Sequence, residues 1–201
     1  MKQYPSIPSI NKSPKNYCIA FYKYDGSNLR WEYNKKQGWY KFGTRHRLFD
    51  HTDEIFSEAI PIFKNISEEI EKATKKIVKN IEHMIVFTEF YGDNSFAGLH
   101  NKEDKKYLKL FDVCINKKGL LAPYDFEKYY GNLDFSAKAI YEGNLNKTFI
   151  DNVRNNKYNL NEGVVCKGVL NKRIWMTKIK TLEYKEKLLR VYKDNWLNYW
   201  E

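Results

Sequence analysis

Lys23 closes an apolar run, Cys18 to Tyr22, and is followed almost at once by Asp25-Gly26. Such a run reads as a buried strand, and Asp-Gly reads as the turn after it. A lysine at that junction is held by rigid backbone while its amine faces an opening, the placement that a nucleophilic amine needs. A surface lysine beside a hairpin turn gives the same pattern. Other groups could share the chemistry. Thr44-Arg45-His46-Arg47 is a basic cluster just past a strand, suited to a phosphate contact or to a solvated loop. Glu89 lies in the apolar run Met84 to Phe90, where a carboxylate must be paired or face a site. In Glu162-Gly163-Val164-Val165-Cys166-Lys167 a strand would place 163, 165 and 167 on one face and 162 on the other. Lys178 and Lys180 are two apart in Arg173 to Lys180, so their ammonium groups share a face, at a cost unless an anion sits between them.

The elements that would carry these groups follow from the hydrophobic pattern. Strands are expected over Asn28 to Tyr33 and Gly38 to Gly43 around a Lys-Lys-Gln-Gly turn, then over Met84 to Phe90, Lys109 to Ile115, Glu162 to Lys167 and Arg173 to Lys180. Asp53 to about Glu82 is expected to be mostly helical, with Ile66, Ile70, Ala73, Ile77 and Ile81 at helical spacing and Pro61 dividing it into two helices. Pro123 to Tyr130 reads as a further helix. Leu182, Leu189, Tyr192, Trp196 and Tyr199 form an apolar stripe, the expected core face of a closing helix over about 181–200. Residues 1–201 are expected to form a single domain, without a separate C-terminal one.

Lys and Arg number 35 against 25 acids, a net charge of +10, and with 16 tyrosines, 12 phenylalanines and 5 tryptophans this composition suits a polyanionic partner. Cys18, Cys114 and Cys166 lack metal-ligand spacing and sit in apolar runs, as small buried hydrophobes of a reducing compartment do. The four histidines show no paired spacing. No apolar run approaches the roughly 20 residues of a bilayer span, and Met-Lys-Gln-Tyr-Pro-Ser has no signal-peptide core. A cytoplasmic setting is expected, with no membrane partner. Neither a P-loop nor a dinucleotide-binding glycine turn is present.

In order, the chain carries Lys-Tyr-Asp-Gly-Ser-Asn, an Arg loop, Thr-Glu-Phe-Tyr-Gly, Leu-Phe-Asp-Val, Glu-Gly-Val-Val-Cys-Lys and Lys-Ile-Lys-Thr-Leu-Glu-Tyr-Lys-Glu-Lys. This constellation, from about residue 17 to about residue 187, resembles the covalent nucleotidyltransferase superfamily of polynucleotide ligases and mRNA capping enzymes. Asn28 stands where DNA ligases and capping enzymes usually have arginine, so the resemblance is to the ATP-dependent RNA ligases of phage and RNA-repair type, and to their catalytic domain. It implies an α+β fold, with largely antiparallel sheets forming a nucleotide cleft and helices outside. Those ligases usually carry a further C-terminal domain beyond the Lys-x-Lys strand, whereas about 21 residues follow Lys180 here.

The resemblance implies that Lys23 attacks the α-phosphate of ATP to form a lysyl-AMP. AMP then passes to an RNA 5′-phosphate, and a 3′-hydroxyl attacks that end and releases AMP. Lys167, Lys178 and Lys180 would hold phosphate oxygens, Glu89 the ribose, and Phe111 the adenine face. Arg45, or Arg47 in another loop register, would bind a phosphate. Tyr22 and Asn28 complete the nucleotide-binding set, and Glu162 with Asp25 would hold Mg²⁺ or Mn²⁺. The partners implied are ATP, RNA ends, and a protein that replaces the further domain; the source could be a phage or virus. Alternatives are a capping-type guanylyltransferase, a non-catalytic nucleic-acid-binding module of the same fold, and an enzyme that charges itself with AMP but seals only with a partner.

Overall fold

The computed structural model describes residues 3–200. In chain order the strands are β1 (Tyr17–Lys23), β2 (Ser27–Asn34), β3 (Gly38–Thr44), β4 (Leu48–Phe49), β5 (His83–Gly92), β6 (Lys106–Ile115), β7 (Ala139–Asn144), β8 (Gly163–Leu170) and β9 (Arg173–Lys180). The helices are α1 (Ala59–Lys75), α2 (Pro123–Tyr130), α3 (Lys147–Arg154) and α4 (Leu182–Tyr192), with short 3-10 segments at Ile10–Lys12 and Lys193–Tyr199. They form two compact units. One comprises Asp25–Leu121, Asp125–Ser136 and the N-terminal stretch through Pro5; the other comprises Ser6–Tyr24, Ala122–Tyr124 and the chain from Ala137 onward.

The first unit holds a five-stranded antiparallel sheet in the order β4-β3-β2-β5-β6. One face packs against α1: the Trp31 ring stacks on Phe63 at 4.0 Å, and its indole N–H donates to the Thr88 hydroxyl at 2.9 Å. Ile60, Phe63, Ile70 and Ala73 are buried at helical spacing, which fixes the inward face of α1. The region expected to be two helices split at Pro61 is one helix, shorter than expected. Pro61 lies in its first turn, where its missing N–H costs no hydrogen bond. The residues before it are held in turns by the Asp53 carboxylate, which accepts from the Ile55 and Phe56 N–H groups.

The second unit holds a four-stranded antiparallel sheet in the order β7-β1-β8-β9. Cys18, Ala20, Val164, Cys166 and Ile179 form one dry face with Leu145, Phe149, Val153 and Leu160 over it, the middle two from α3. Asn146 caps α3 by accepting from the Phe149 N–H at 2.8 Å. The closing helix ends at Tyr192 and gives way to the 3-10 segment Lys193–Tyr199, so it is shorter than the 181–200 expected. Its apolar stripe is also out of phase with that expectation. Tyr184 and Leu188 face inward, while Leu182 is 43% and Leu189 40% exposed. Thr181 caps the helix through the Tyr184 N–H, and that start sets the inward seam at 184 and 188.

Candidate active site

Register places the lysines. In antiparallel pairs, residues directly opposite share a face, and so do residues two apart on one strand. Lys23 faces Gly163 and Phe21 faces Val165 across β1 and β8; Gly163 faces Lys180 and Val165 faces Lys178 across β8 and β9; Ile19 faces Lys167. Lys23, Lys167, Lys178 and Lys180 therefore share one face, the one opposite the dry core. Gly163 is required by space: a Cβ there would lie 2.1 Å from the Ile179 carbonyl oxygen.

Glu162 gathers two of these lysines. It lies one residue before β8, and its side chain is 2% exposed. Lys23 Nζ donates to its Oε2 at 2.5 Å, and Lys180 Nζ to its Oε1 at 2.7 Å. Strict alternation put Glu162 on the face opposite Lys167; because it precedes the strand, that alternation does not bind it, and its carboxylate meets the lysines. Burial raises the Glu162 pKa, but the charges and hydrogen bonds of Lys23 and Lys180 prevail and hold it below the ordinary carboxylate value. Lys180 also lies 4.9 Å over the Tyr184 ring, and Lys167 5.2 Å over Phe21. Arg154 donates to the Lys180 carbonyl at 2.7 Å, fixing the end of β9 from α3.

Tyr22 is not among the lysines. It packs on the core side, and its hydroxyl accepts from the Asn161 N–H at 2.9 Å. Alternation from Lys23 makes that unavoidable.

The other expected residues lie in the first unit. Asn28 and Glu89 are directly opposite on β2 and β5, so both side chains leave the sheet face that does not touch α1. Phe111 reaches the same face by an irregularity of pairing. Thr88 faces Leu110 and Phe87 faces Asp112, so Phe111 is the extra residue of a bulge, and its ring stacks with Phe87 at 6.4 Å. Asp25 accepts from the Ala97 N–H with both carboxylate oxygens, at 2.9 and 3.0 Å. Gly26 beside it is again a matter of space, since a Cβ would lie 2.2 Å from the Phe90 carbonyl oxygen. The basic loop is a tight turn in which the Thr44 hydroxyl accepts from the His46 and Arg47 N–H groups. Arg47 is committed to Asp53, whose pKa falls to about 2 through that hydrogen bond, and stands 5.5 Å over the Phe56 ring. The Arg45 side chain is exposed.

One residue escaped the sequence reading. Tyr4 is buried, donates to Asp112 Oδ2 at 2.5 Å, and sets its ring edge-on to both Phe87 and Phe111 at 5.0 Å. It lies in a proline- and serine-rich lead-in with no hydrophobic period, and its only signal was an aromatic among polar neighbours. Among the described residues, no three His, Cys, Asp or Glu side chains gather as a metal cage.

No family model and no curated protein sequence matches the chain. Its structure is similar to those of an RNA ligase of Naegleria gruberi. With a lysine-to-methionine variant of that ligase holding AMP and Mn, the TM-score is 0.66 at 16% identity. With a lysine-to-alanine variant holding ATP and Mn, and with the ligase holding PPi, it is 0.64 at 16% identity. Each match covers 93% of this chain and 58% of the ligase, so the chain spans somewhat over half of the ligase's length. The pair of antiparallel sheets with its helices is thus an α+β fold shared with that RNA ligase.

Proposed function

We propose that the chain is an ATP-dependent RNA ligase that joins RNA 5′-phosphate and 3′-hydroxyl ends through a covalent lysyl-AMP. The observation that carries the reading is the shared face of Lys23, Lys167, Lys178 and Lys180, with the buried Glu162 between Lys23 and Lys180. Like charges are gathered on a strand face only at a cost, and a phosphate chain repays it. The Lys23 amine loses a proton and attacks the α-phosphorus; the bond to the pyrophosphate oxygen breaks, and pyrophosphate carries the electron pair away. Lys167, Lys178 and Lys180 hold the phosphate oxygens as charge builds on them.

In the first unit, Glu89 accepts the ribose hydroxyls, Phe111 stacks on adenine with Tyr4 setting its ring, and Asn28 contacts the phosphate side. The engagement of Arg47 with Asp53 and Phe56 favours Arg45 as the phosphate ligand of the basic loop. Glu162 suits Mg²⁺ or Mn²⁺, because a hydrated cation that also binds phosphate oxygens takes only one or two carboxylates. Such a cation supplies positive charge that offsets the phosphate oxygens. Once the Lys23 amine is bonded to phosphorus it carries no ammonium charge, so Glu162 keeps one of its two cationic neighbours.

The decisive experiment is incubation with α-labelled ATP and a divalent metal, followed by denaturing electrophoresis. The intact chain takes label that survives denaturation, and Lys23→Ala loses it by about 10⁴-fold or more, the scale of nucleophile removal. Absence of label on the intact chain, with ATP and metal in excess, overturns the reading. Sealing is scored separately on RNA with adenylated 5′-ends, and RNA affinity should fall steeply as salt rises, by counterion release.

A further inference from the structure

The Lys180 ammonium has a neighbour that the chemistry above does not use. It donates to Glu162 and also to the backbone carbonyl of Tyr199, in the 3-10 segment that follows α4. We propose that Lys193–Tyr199 is a strap that occupies a donor of Lys180 in the nucleotide-free state and leaves it when a phosphate oxygen arrives. The inference rests on the reading of Lys180 as a phosphate ligand.

Its construction suits release. No residue of the segment is buried, and Leu197 is 64% exposed. Aromatic rings hold it to the surface: Trp196 lies 5.0 Å under Lys185, Trp200 lies 5.0 Å from the Arg154 guanidinium and 6.0 Å from Lys185, and Tyr199 stacks on Tyr192 at 4.0 Å. Exposed cation–π contacts of this kind are weak individually. The chain enters the segment through Lys193 at φ 46° and ψ −120°, a conformation that side-chain-bearing residues rarely adopt, so the closed strap stores strain that opening relieves. The Lys180 ammonium is an ionised donor in either bond, but the Tyr199 carbonyl is a neutral acceptor whereas a phosphate oxygen carries charge, so the phosphate adds the attraction of opposite charges. Phosphate therefore wins the exchange, while the strap lowers the apparent affinity. The same Arg154 that donates to the Lys180 carbonyl lies against Trp200, so strap and strand end share one anchor. By reciprocity, bound nucleotide loosens the strap by the same factor by which an open strap tightens nucleotide binding.

The test is the variant Trp196→Ala/Trp200→Ala in the full chain, with folding checked by circular dichroism. Two quantities are read: acetylation of Lys180 without nucleotide, by mass spectrometry, and the dissociation constant for ATP with Mg²⁺. The expected result is Lys180 acetylation faster by about 10-fold and ATP binding tighter by about 5-fold, within the usual range of coupling between sites. As a measurement that needs no variant, ATP should speed tryptic cleavage after Lys193 in the unaltered chain. A folded double variant that matches the unaltered chain in both quantities overturns the strap, as does faster acetylation without tighter ATP binding, or cleavage after Lys193 that ATP does not change. If the unaltered chain takes no label and binds no ATP, the ligase reading has failed and the strap falls with it. Labelling of the unaltered chain together with an unresponsive strap refutes the strap alone.

Discussion

The two faces of the four-stranded sheet are built from alternate residues of the same strands. One carries Cys18, Ala20, Val164, Cys166 and Ile179, sealed under α3 and the residues around it. The other carries Lys23, Lys167, Lys178 and Lys180. Ile179 belongs to the first face and its two neighbours to the second, so a shift of one residue in register would bury ammonium groups in a dry core and expose the apolar set. The hydrophobic face therefore specifies the lysine face: the free energy that fixes register is gained on the apolar side. The lysine face can then keep an arrangement that is costly in itself, two ammonium groups around one buried carboxylate, because strand pairing leaves it no alternative.

Substitutions can break this division. Among changes that keep Lys23, the largest effect is expected for Glu162→Gln, which keeps the shape but leaves Lys23 and Lys180 around a neutral amide; AMP labelling should fall by about 10- to 100-fold. Its pH signature has a definite sign. The folded pKa of Glu162 lies below the ordinary value, so its contribution to stability is present above that value and is lost as pH falls through it toward the folded pKa. Urea midpoints measured from about pH 5 down to about pH 3 should therefore drop more for the unaltered chain than for the variant.

A smaller, opposite effect sharpens the contrast. Ile179→Val, between the two lysines but on the dry face, should cost about 1 kcal/mol in urea unfolding and leave labelling per folded molecule unchanged. Loss of labelling without loss of stability would show that the faces are not independent. The least effect is expected from Val169→Thr, near the far end of β8 from Gly163, where the side chain is 40% exposed. Both stability, within about 0.5 kcal/mol, and labelling should hold.

Much of this was legible in the sequence where a local pattern had a single structural meaning. Lys178 and Lys180 had to share a face because strands alternate, and an apolar run closed by Lys23-Tyr24-Asp25-Gly26 read as a buried strand with the lysine at its end. The fold class followed from the motifs that resemble RNA ligases. What eluded the reading depended on contacts between distant residues or on breaks in periodicity. Glu162 escaped its assigned face by standing one residue outside the strand. Phe111 owes its orientation to a bulge that only pairing with β5 reveals. Pro61 could equally divide a helix or begin one. The C-terminal stripe was real as a spacing, but the cap at Thr181 turned 184 and 188 inward instead.

The three thiols, all buried, make the molecule its own reporter of opening. Cys18 and Cys166 lie in the core of the four-stranded sheet, and Cys114 lies on β6 of the five-stranded one. A thiol reagent can reach them only when the surrounding strands come apart, so the rate at which each mass adduct accumulates is a clock for its own sheet. With nucleotide present, slower modification of Cys18 and Cys166 would measure how far ligand binding freezes the sheet that holds Lys23, and Cys114, on the strand of Phe111, would measure the same for the other sheet.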